Sequence, residues 1–255
     1  MDQEIENLKT LYARTSKHSN YQILPECLKP LLDETEIDVK SRFERERLDY
    51  ILQYINPNGK SILDIGGNSG YFSFELIDRG AKHVDYYEGN KTHSEFVLRA
   101  AELLNCSDKL IVYNEYINFR ESCHDRHYDV VFLLNVLHHV GDDYDEKDLT
   151  LLKAKQKIIE SVNALAGKTS SMIFQLGFCW KGNRDFLLFK NGTKEEMIDF
   201  ISENTKEFWE ITDIGIPVLG GGKVSYNNLN QDNIKRDDKL GEFLNRPIFV
   251  LKSKK

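Results

Sequence analysis

The chain has 255 residues, of which 40% are hydrophobic and 29% charged, with a formal net charge of −7. That length can bury a full core in one α/β domain with an appendage, and the composition is that of a globular protein. The acidic balance disfavours nucleic acid as a partner, because a broad nucleic-acid surface needs concentrated Lys and Arg to displace counterions.

The N-terminus, Met1-Asp-Gln-Glu-Ile-Glu, is acidic and has no apolar leader core, and no run approaches the ~20 apolar residues of a membrane span. A cytoplasmic protein without a membrane partner is the expectation. Cys27, Cys106, Cys123 and Cys179 are scattered and form no C-x-x-C pair, which suggests neither a zinc site nor a disulfide framework.

Residues 2–13 carry Ile5, Leu8, Leu11 and Tyr12 at helical spacing. The segment from Tyr12 to Gln22 is dense in hydrogen-bonding groups and poor in aliphatics. It reads either as an exposed linker or as a lid in which Tyr12, Arg14, Lys17 and His18 touch substrate. Residues 41–55 predict a helix, with Ser41 and Glu44 spaced as a capping box. Residues 1–56 are therefore taken as an N-terminal helical extension, and 57–255 as the main domain.

Ser61 to Ile65 is short and apolar apart from Asp64, which suits a buried strand of a parallel sheet. Gly66, Gly67, Asn68 and Gly70 follow, and Tyr71 to Ile77 then run with helical spacing. A strand, a glycine turn and a helix start let a ligand approach bare backbone. His83 to Asn90 is a second strand ending in Glu88 and Gly89, with Glu88 lying 24 positions past Asp64. In Rossmann-like folds a carboxylate about that far along binds ribose hydroxyls.

Residues 109–113 predict a third strand, followed by Asn114, Glu115 and Tyr116. Residues from Tyr128 onward predict a fourth, running into Asn135, His138 and His139. Helices over 71–79, 91–104 and 146–166 alternate with these strands, a rhythm that predicts a parallel sheet with right-handed crossovers. Residues 170–177 make a fifth strand, and Thr193 with Glu196 caps a helix over 193–204. Residues 208–217 and 247–252 are the last two strands, and the polar, glycine-bearing stretch 219–246 is inserted between them.

The run Asp64-Ile-Gly-Gly-Asn-Ser-Gly70 resembles the first motif of class I S-adenosylmethionine-dependent methyltransferases, with Asn68 in place of the middle glycine. The acid at Glu88, the stretch after the third strand and Asn135-Val-Leu-His-His139 fall where that family has its later motifs. The resemblance implies an α/β, Rossmann-like sheet of seven strands with helices on both faces, the seventh inserted antiparallel beside the sixth. It implies S-adenosylmethionine (SAM) as cofactor and S-adenosylhomocysteine (SAH) as product. The implied cofactor contacts are Asp64, Gly66, Gly67, Asn68, Gly70, Glu88, Gly89, Glu115, Tyr116 and Asn135.

The Ser16–Gln22 segment, Gly177-Phe-Cys-Trp-Lys-Gly-Asn183 and Gly241-Glu-Phe-Leu-Asn-Arg-Pro247 look like methyltransferases encoded with bacterial capsular-polysaccharide genes. Members of that group methylate sugar hydroxyls, some on nucleotide-activated heptoses such as GDP-heptose. The implied partner is a small nucleotide-sugar substrate. A methyltransferase acting on a tRNA wobble uridine or a small metabolite would share the fold, as would a non-catalytic SAM-binding protein.

Methyl transfer to an alcohol needs a base near neutrality, for which histidine is suited. His138 is the first candidate and His139 the second, with Tyr144, Asp142, Asp143 or no base at all behind them. Asp142, Asp143 and Asp145 form an oxygen-rich loop that could suit Mg²⁺ but reads more simply as solvated, and no metal is expected. Trp180, Lys181 and Arg184 combine an aromatic face with two cations, which suits an anionic, ring-bearing acceptor, and Tyr144 is expected among the substrate contacts with them.

Overall fold

The computed structural model describes residues 2–14, 18–19, 21–32, 39–119 and 126–255. The chain divides into two compact units, Met1–Ile117 and Asn118–Lys255. Eight strands and six α-helices lie among the described residues.

In the first unit, α1 (Asp2–Ala13) buries Leu8 and Tyr12, as the apolar spacing predicts. The next helix departs from expectation. α2 spans only Glu44–Ile51, and it starts after Phe43 in the left-handed conformation at φ 58°. Ser41 does not cap the helix amides. Its hydroxyl donates to the buried Glu44 carboxylate at 2.8 Å, and the Arg42 N–H donates to the same carboxylate at 2.8 Å. Glu44 is consumed in folding the chain back at the helix start, so the Ser-x-x-Glu spacing is present without the capping box.

The sheet of this unit has β1 (Ser61–Ile65), β2 (His83–Tyr87) and β3 (Leu110–Tyr113), all parallel, in the order β3-β2-β1. β1 and β2 are buried along nearly their whole length. Helices α3 (Tyr71–Asp78) and α4 (Lys91–Leu103) follow β1 and β2 as βα units. Asn90 caps α4 by accepting the Thr92 N–H at 3.0 Å, the usual remedy for unpaired amides at a helix start.

In the second unit, β4 (Tyr128–Leu134) and β5 (Thr169–Gln175) are parallel, joined through α5 (Leu151–Ala164). α6 (Lys194–Thr205) carries the expected capping box, with Thr193 and Glu196 each bonding the other's backbone. β6 (Trp209–Gly220) and β8 (Ile248–Ser253) complete the pattern, β8 pairing antiparallel with both β5 and β6.

An eighth strand was not foreseen. Within the 219–246 insertion, β7 (Lys223–Asn228) pairs antiparallel with β6. Gly221 and Gly222 have φ of 57° and 77°, the two left-handed residues that a tight hairpin turn of matching twist requires. The three glycines thus make a hairpin tip, and strand β6 runs on to Gly220 instead of ending at residue 217.

Candidate functional site

In the first unit the turn after β1 is built on three left-handed residues, Gly66 (φ 68°), Asn68 (φ 55°) and Gly70 (φ 79°). Asparagine tolerates this region better than most residues, which accounts for its presence where a glycine is expected. Gly67 is needed for a different reason. A Cβ there would lie 2.4 Å from Cε2 of the buried Tyr86 ring and 2.8 Å from an Asp64 oxygen. At Gly70 a Cβ would meet Val97 at 2.8 Å, so that glycine serves close packing of α3 against α4.

Asp64 is buried and accepts the Ser73 hydroxyl at 2.7 Å. Burial pushes its carboxyl up to about 6; the Ser73 bond opposes that rise and the Glu88 charge adds to it. Glu88, at the end of β2, accepts the backbone N–H of Asn68 at 2.9 Å and of Asn90 at 2.8 Å. Two amides therefore fix this carboxylate against the glycine turn.

Gly89 is followed in space by the Tyr116 ring, which a Cβ would meet at 2.3 Å, while 52% of Tyr116 stays exposed. A half-exposed flat ring beside a fixed carboxylate suits stacking next to a hydrogen-bond acceptor. Glu115 is exposed. Asn114 is used internally, donating to the Glu88 carbonyl at 3.1 Å and to Ser94 at 2.8 Å.

The N-terminal segment is fastened to the same turn. Asn68 Nδ2 donates to the His18 carbonyl at 2.9 Å. Gln22 Oε1 accepts the Ser69 hydroxyl and the Tyr71 N–H, each at 3.2 Å. Tyr12 belongs to this fastening: it is buried against Phe96, and its hydroxyl donates to the Gln22 carbonyl at 2.6 Å. Its expected substrate contact gives way to a packing role. Arg14 is exposed, and Lys17 lies outside the described residues. Gln22 escaped the sequence reading because its partners stand nearly fifty positions away.

In the second unit β4 ends at Leu134, and the chain reverses at Asn135 (φ 63°) before a short 3₁₀ turn over Leu137–His139. The two histidines separate here. His138 is 2% exposed, its Nδ1 accepts the Gly177 N–H at 3.3 Å, and its ring lies where a Cβ on Gly177 would be. Accepting at Nδ1 places the proton of the neutral ring on Nε2. His139 stands beside it, ring centroids 4.3 Å apart, with Nδ1 3.4 Å from Asp143 Oδ2 and 3.9 Å from Asp142 Oδ2.

The loop acids have separate partners: Asp143 faces His139, whereas Asp145 pairs with Lys157 at 2.5 Å. Tyr144 donates its hydroxyl to the Leu137 carbonyl at 3.3 Å, and burial pushes that phenol upward. Trp180 is buried, with its indole N–H donating to the Val140 carbonyl at 2.8 Å. Lys181 folds over the Trp180 ring at 4.7 Å and donates to the Lys147 carbonyl at 3.1 Å. Both anchor their loop, and of the expected trio only Arg184 stands exposed.

Asn135 is likewise engaged within the unit. Its Oδ1 accepts from Arg246 Nη1, and its Nδ2 donates to Gln175 Oε1, both at 2.8 Å. Its side-chain groups are thus both engaged within the unit.

No family profile and no curated protein matches the chain. Solved structures do. A structure of the bifunctional kinase-methyltransferase WbdD overlays with a TM-score of 0.56 at 17% identity, covering 96% of this chain and 46% of that one. A low-resolution WbdD structure gives a TM-score of 0.59 at 17% identity, covering 95% and 40%. This chain therefore spans less than half the length of the WbdD chains.

Chains described as RNA or tRNA methyltransferases also match. One from Pyrococcus horikoshii has 14% identity and a TM-score of 0.46, covering 83% of both chains. One from Streptococcus pneumoniae has 14% identity and a TM-score of 0.46, covering 82% of this chain and 69% of that one. Both overlay too loosely to bear on function. The fold is the methyltransferase type of α/β fold. No helix among the described residues is long and apolar enough to cross a membrane.

Proposed function

We propose that this chain is a SAM-dependent O-methyltransferase whose acceptor is a sugar hydroxyl, carried by an anionic, nucleotide-linked sugar such as a nucleoside diphosphate heptose. The observation that carries the cofactor half of this reading is the joint between Asn68 N–H and the Glu88 carboxylate, at 2.9 Å. It sets a ribose acceptor against bare backbone, with the Tyr116 ring as a platform for a base.

Gln22 favours this cofactor over a dinucleotide. In dinucleotide folds the pyrophosphate sits on the first amides of the helix after the glycine turn. Here the Tyr71 N–H, first in α3, already donates to Gln22 Oε1. An adenosyl amino acid has no phosphate to place there. WbdD combines kinase and methyltransferase activities in one protein. This sequence contains neither the G-x-x-x-x-G-K-[ST] loop nor the H-R-D and D-F-G signatures of kinases, which favours the methyltransferase half of that comparison.

When bound, the cofactor supplies an activated methyl on a sulfonium. The residues of the chain do the rest. Asp64 and Glu88 hold negative charge at the turn, favouring a cationic donor over its neutral product. His139 takes the acceptor hydroxyl proton at Nε2, and the Asp143 carboxylate, 3.4 Å from Nδ1, stabilises the imidazolium that forms. His138, buried, accepts the Gly177 amide and supports the turn. Arg184 is the exposed cation left to meet an anionic acceptor, and the net charge of −7 weighs against RNA.

A methyl-transfer screen tests this reading, with nucleoside diphosphate sugars in one arm and bulk tRNA in the other. Turnover confined to the sugars supports it; turnover on tRNA alone would replace the acceptor assignment.

A further inference from the structure

The motif Gly241-Glu-Phe-Leu-Asn-Arg-Pro247 is not used by the mechanism above, yet its polar side chains are all engaged. Asn245 is fully buried. Its Nδ2 donates to the carbonyls of Asp237 and Gly241, both at 2.7 Å, and its Oδ1 accepts the Asp237 N–H at 3.0 Å. That closes residues 237–245 into a rigid loop and fixes where the next residue points.

The next residue is Arg246. Its Nη1 donates to Asn135 Oδ1 at 2.8 Å, Asn135 Nδ2 donates to Gln175 Oε1 at 2.8 Å, and Gln175 Nε2 donates back to the Arg246 carbonyl at 3.0 Å. Three residues from three distant parts of the sequence thus form a closed ring of hydrogen bonds. Glu242 braces it, accepting Arg246 Nε at 3.0 Å and the Phe178 N–H at 2.9 Å. Burial alone would raise the Glu242 carboxyl, but the Arg246 guanidinium and its hydrogen bonds hold it below the ordinary carboxylate value.

The ring acts on one backbone feature. Asn135 is left-handed, and its N–H donates to the Gln175 carbonyl at 2.8 Å. The chain reverses there and enters the 3₁₀ turn that carries His139. Asparagine tolerates this region better than most residues, and here its side chain and backbone are both held by neighbours. Gln175 holds it through the backbone N–H and the side-chain amide, and Arg246, from more than a hundred positions away, grips the side-chain carbonyl.

We propose that Arg246 is a positioning residue: through Asn135 it sets the turn from which His139 meets Asp143. This rests on the methyltransferase reading only in giving His139 a proton to take; the geometry itself is independent of it. A lysine cannot reproduce the clamp, since a single ammonium cannot serve Asn135 and the Glu242 carboxylate in the forked geometry of a guanidinium.

The test uses the full chain with histidine-selective isotope labelling, following each ring by NMR across pH, beside a thermal melt and SAH calorimetry on the same samples. The variants are Arg246→Gln, Arg246→Lys and Asn135→Gly, the last keeping a left-handed backbone accessible while removing the side chain that Arg246 grips. The expected result is a selective change at His139. Its ring signals move as the Asp143 pairing loosens. His83 and His93 of the first unit stay unchanged, and SAH affinity stays within twofold of wild type.

His139 signals identical to wild type in a folded Arg246→Gln protein would overturn the proposal. So would loss of a cooperative melt in all three variants, which would make the ring a support of the whole unit. Failure of the wild-type chain to bind SAH would count against the methyltransferase reading and leave the NMR outcome to decide the role of Arg246.

Discussion

The backbone N–H of Asn68 donates to the side chain of Glu88 at 2.9 Å, tying the turn after the first strand to the end of the second. The same carboxylate accepts the Asn90 N–H at 2.8 Å. A charged acceptor is held rigidly where the strand ends of such sheets bind ligands. Replacing it removes both the acceptor and the brace on the turn. Glu88→Ala is expected to weaken SAH binding roughly 10- to 150-fold, the equivalent of about 1.5–3 kcal/mol for a hydrogen bond to a charged group. Calorimetry measures it, and an affinity within twofold of wild type would remove Glu88 from the site.

Asp64 gives a pH dependence. Its carboxyl, ordinarily at 3.8, is pushed up to about 6 by burial. Below pH 3.8 it is protonated whether the chain is folded or not, and contributes nothing. Between about pH 4 and 6 the unfolded chain ionises first, so folding stability falls, by on the order of 3 kcal/mol in total, and is level above 6. A cationic donor beside Asp64 favours the ionised form, so SAM affinity should rise with pH through this window while that of neutral SAH rises less. Asp64→Asn should flatten the difference; equal pH profiles for SAM and SAH in the wild type would contradict the account.

The two adjacent histidines should respond differently. His139→Gln is expected to lower turnover about 10²- to 10⁴-fold while leaving SAH affinity intact, the usual scale for losing a general base. His138→Phe leaves the Gly177 amide without its acceptor, which costs about 1–3 kcal/mol. That lowers the melting temperature by several degrees in a chain of this size, with turnover largely kept. Steady-state rates on the acceptor found by screening, with melts of both variants, decide it. The reverse pattern would return the role to His138.

Gly67→Ala probes the packing beneath the turn. Its Cβ would sit 2.4 Å from the buried Tyr86 ring, and that ring has no room to yield because its hydroxyl donates to the Asn68 carbonyl. Overpacking of this kind costs typically about 1–3 kcal/mol, and the turn would shift away from Glu88. A lower melting temperature with weaker SAH binding is expected. Gly221→Ala, at the open hairpin tip where a Cβ meets nothing within 4 Å, should leave SAH binding untouched.

Local patterns in the sequence carried much of the fold. The first strand at Ser61–Ile65, the helix at Asp2–Ala13 and the Thr193–Glu196 capping box all depend on residues close together in the chain. The Ser41–Glu44 spacing misled because Glu44 is bonded to Ser41 and Arg42 in a buried reversal. The stretch 219–246 read only as a polar insertion because its residues carry little apolar alternation, although the pairing of Val224 with Leu219 across Gly221-Gly222 is a local hairpin.

The candidate site divides in the same way. Asp64, the glycine turn and Glu88 are local to their strands and legible. Trp180 and Lys181 suggested a binding surface by residue type, but their partners, Val140 and Lys147, are some forty and thirty-four positions away. Gln22 and Arg246 lie in stretches the sequence singled out, but their roles were not legible, since the partners Ser69, Tyr71 and Asn135 stand far along the chain.

The most direct measurement is calorimetric titration of the purified chain with SAH, beside NAD⁺ as a dinucleotide control. The account predicts one site for SAH, weakened by Glu88→Ala, and no measurable heat from NAD⁺. Absence of SAH binding, or preference for the dinucleotide, would contradict it.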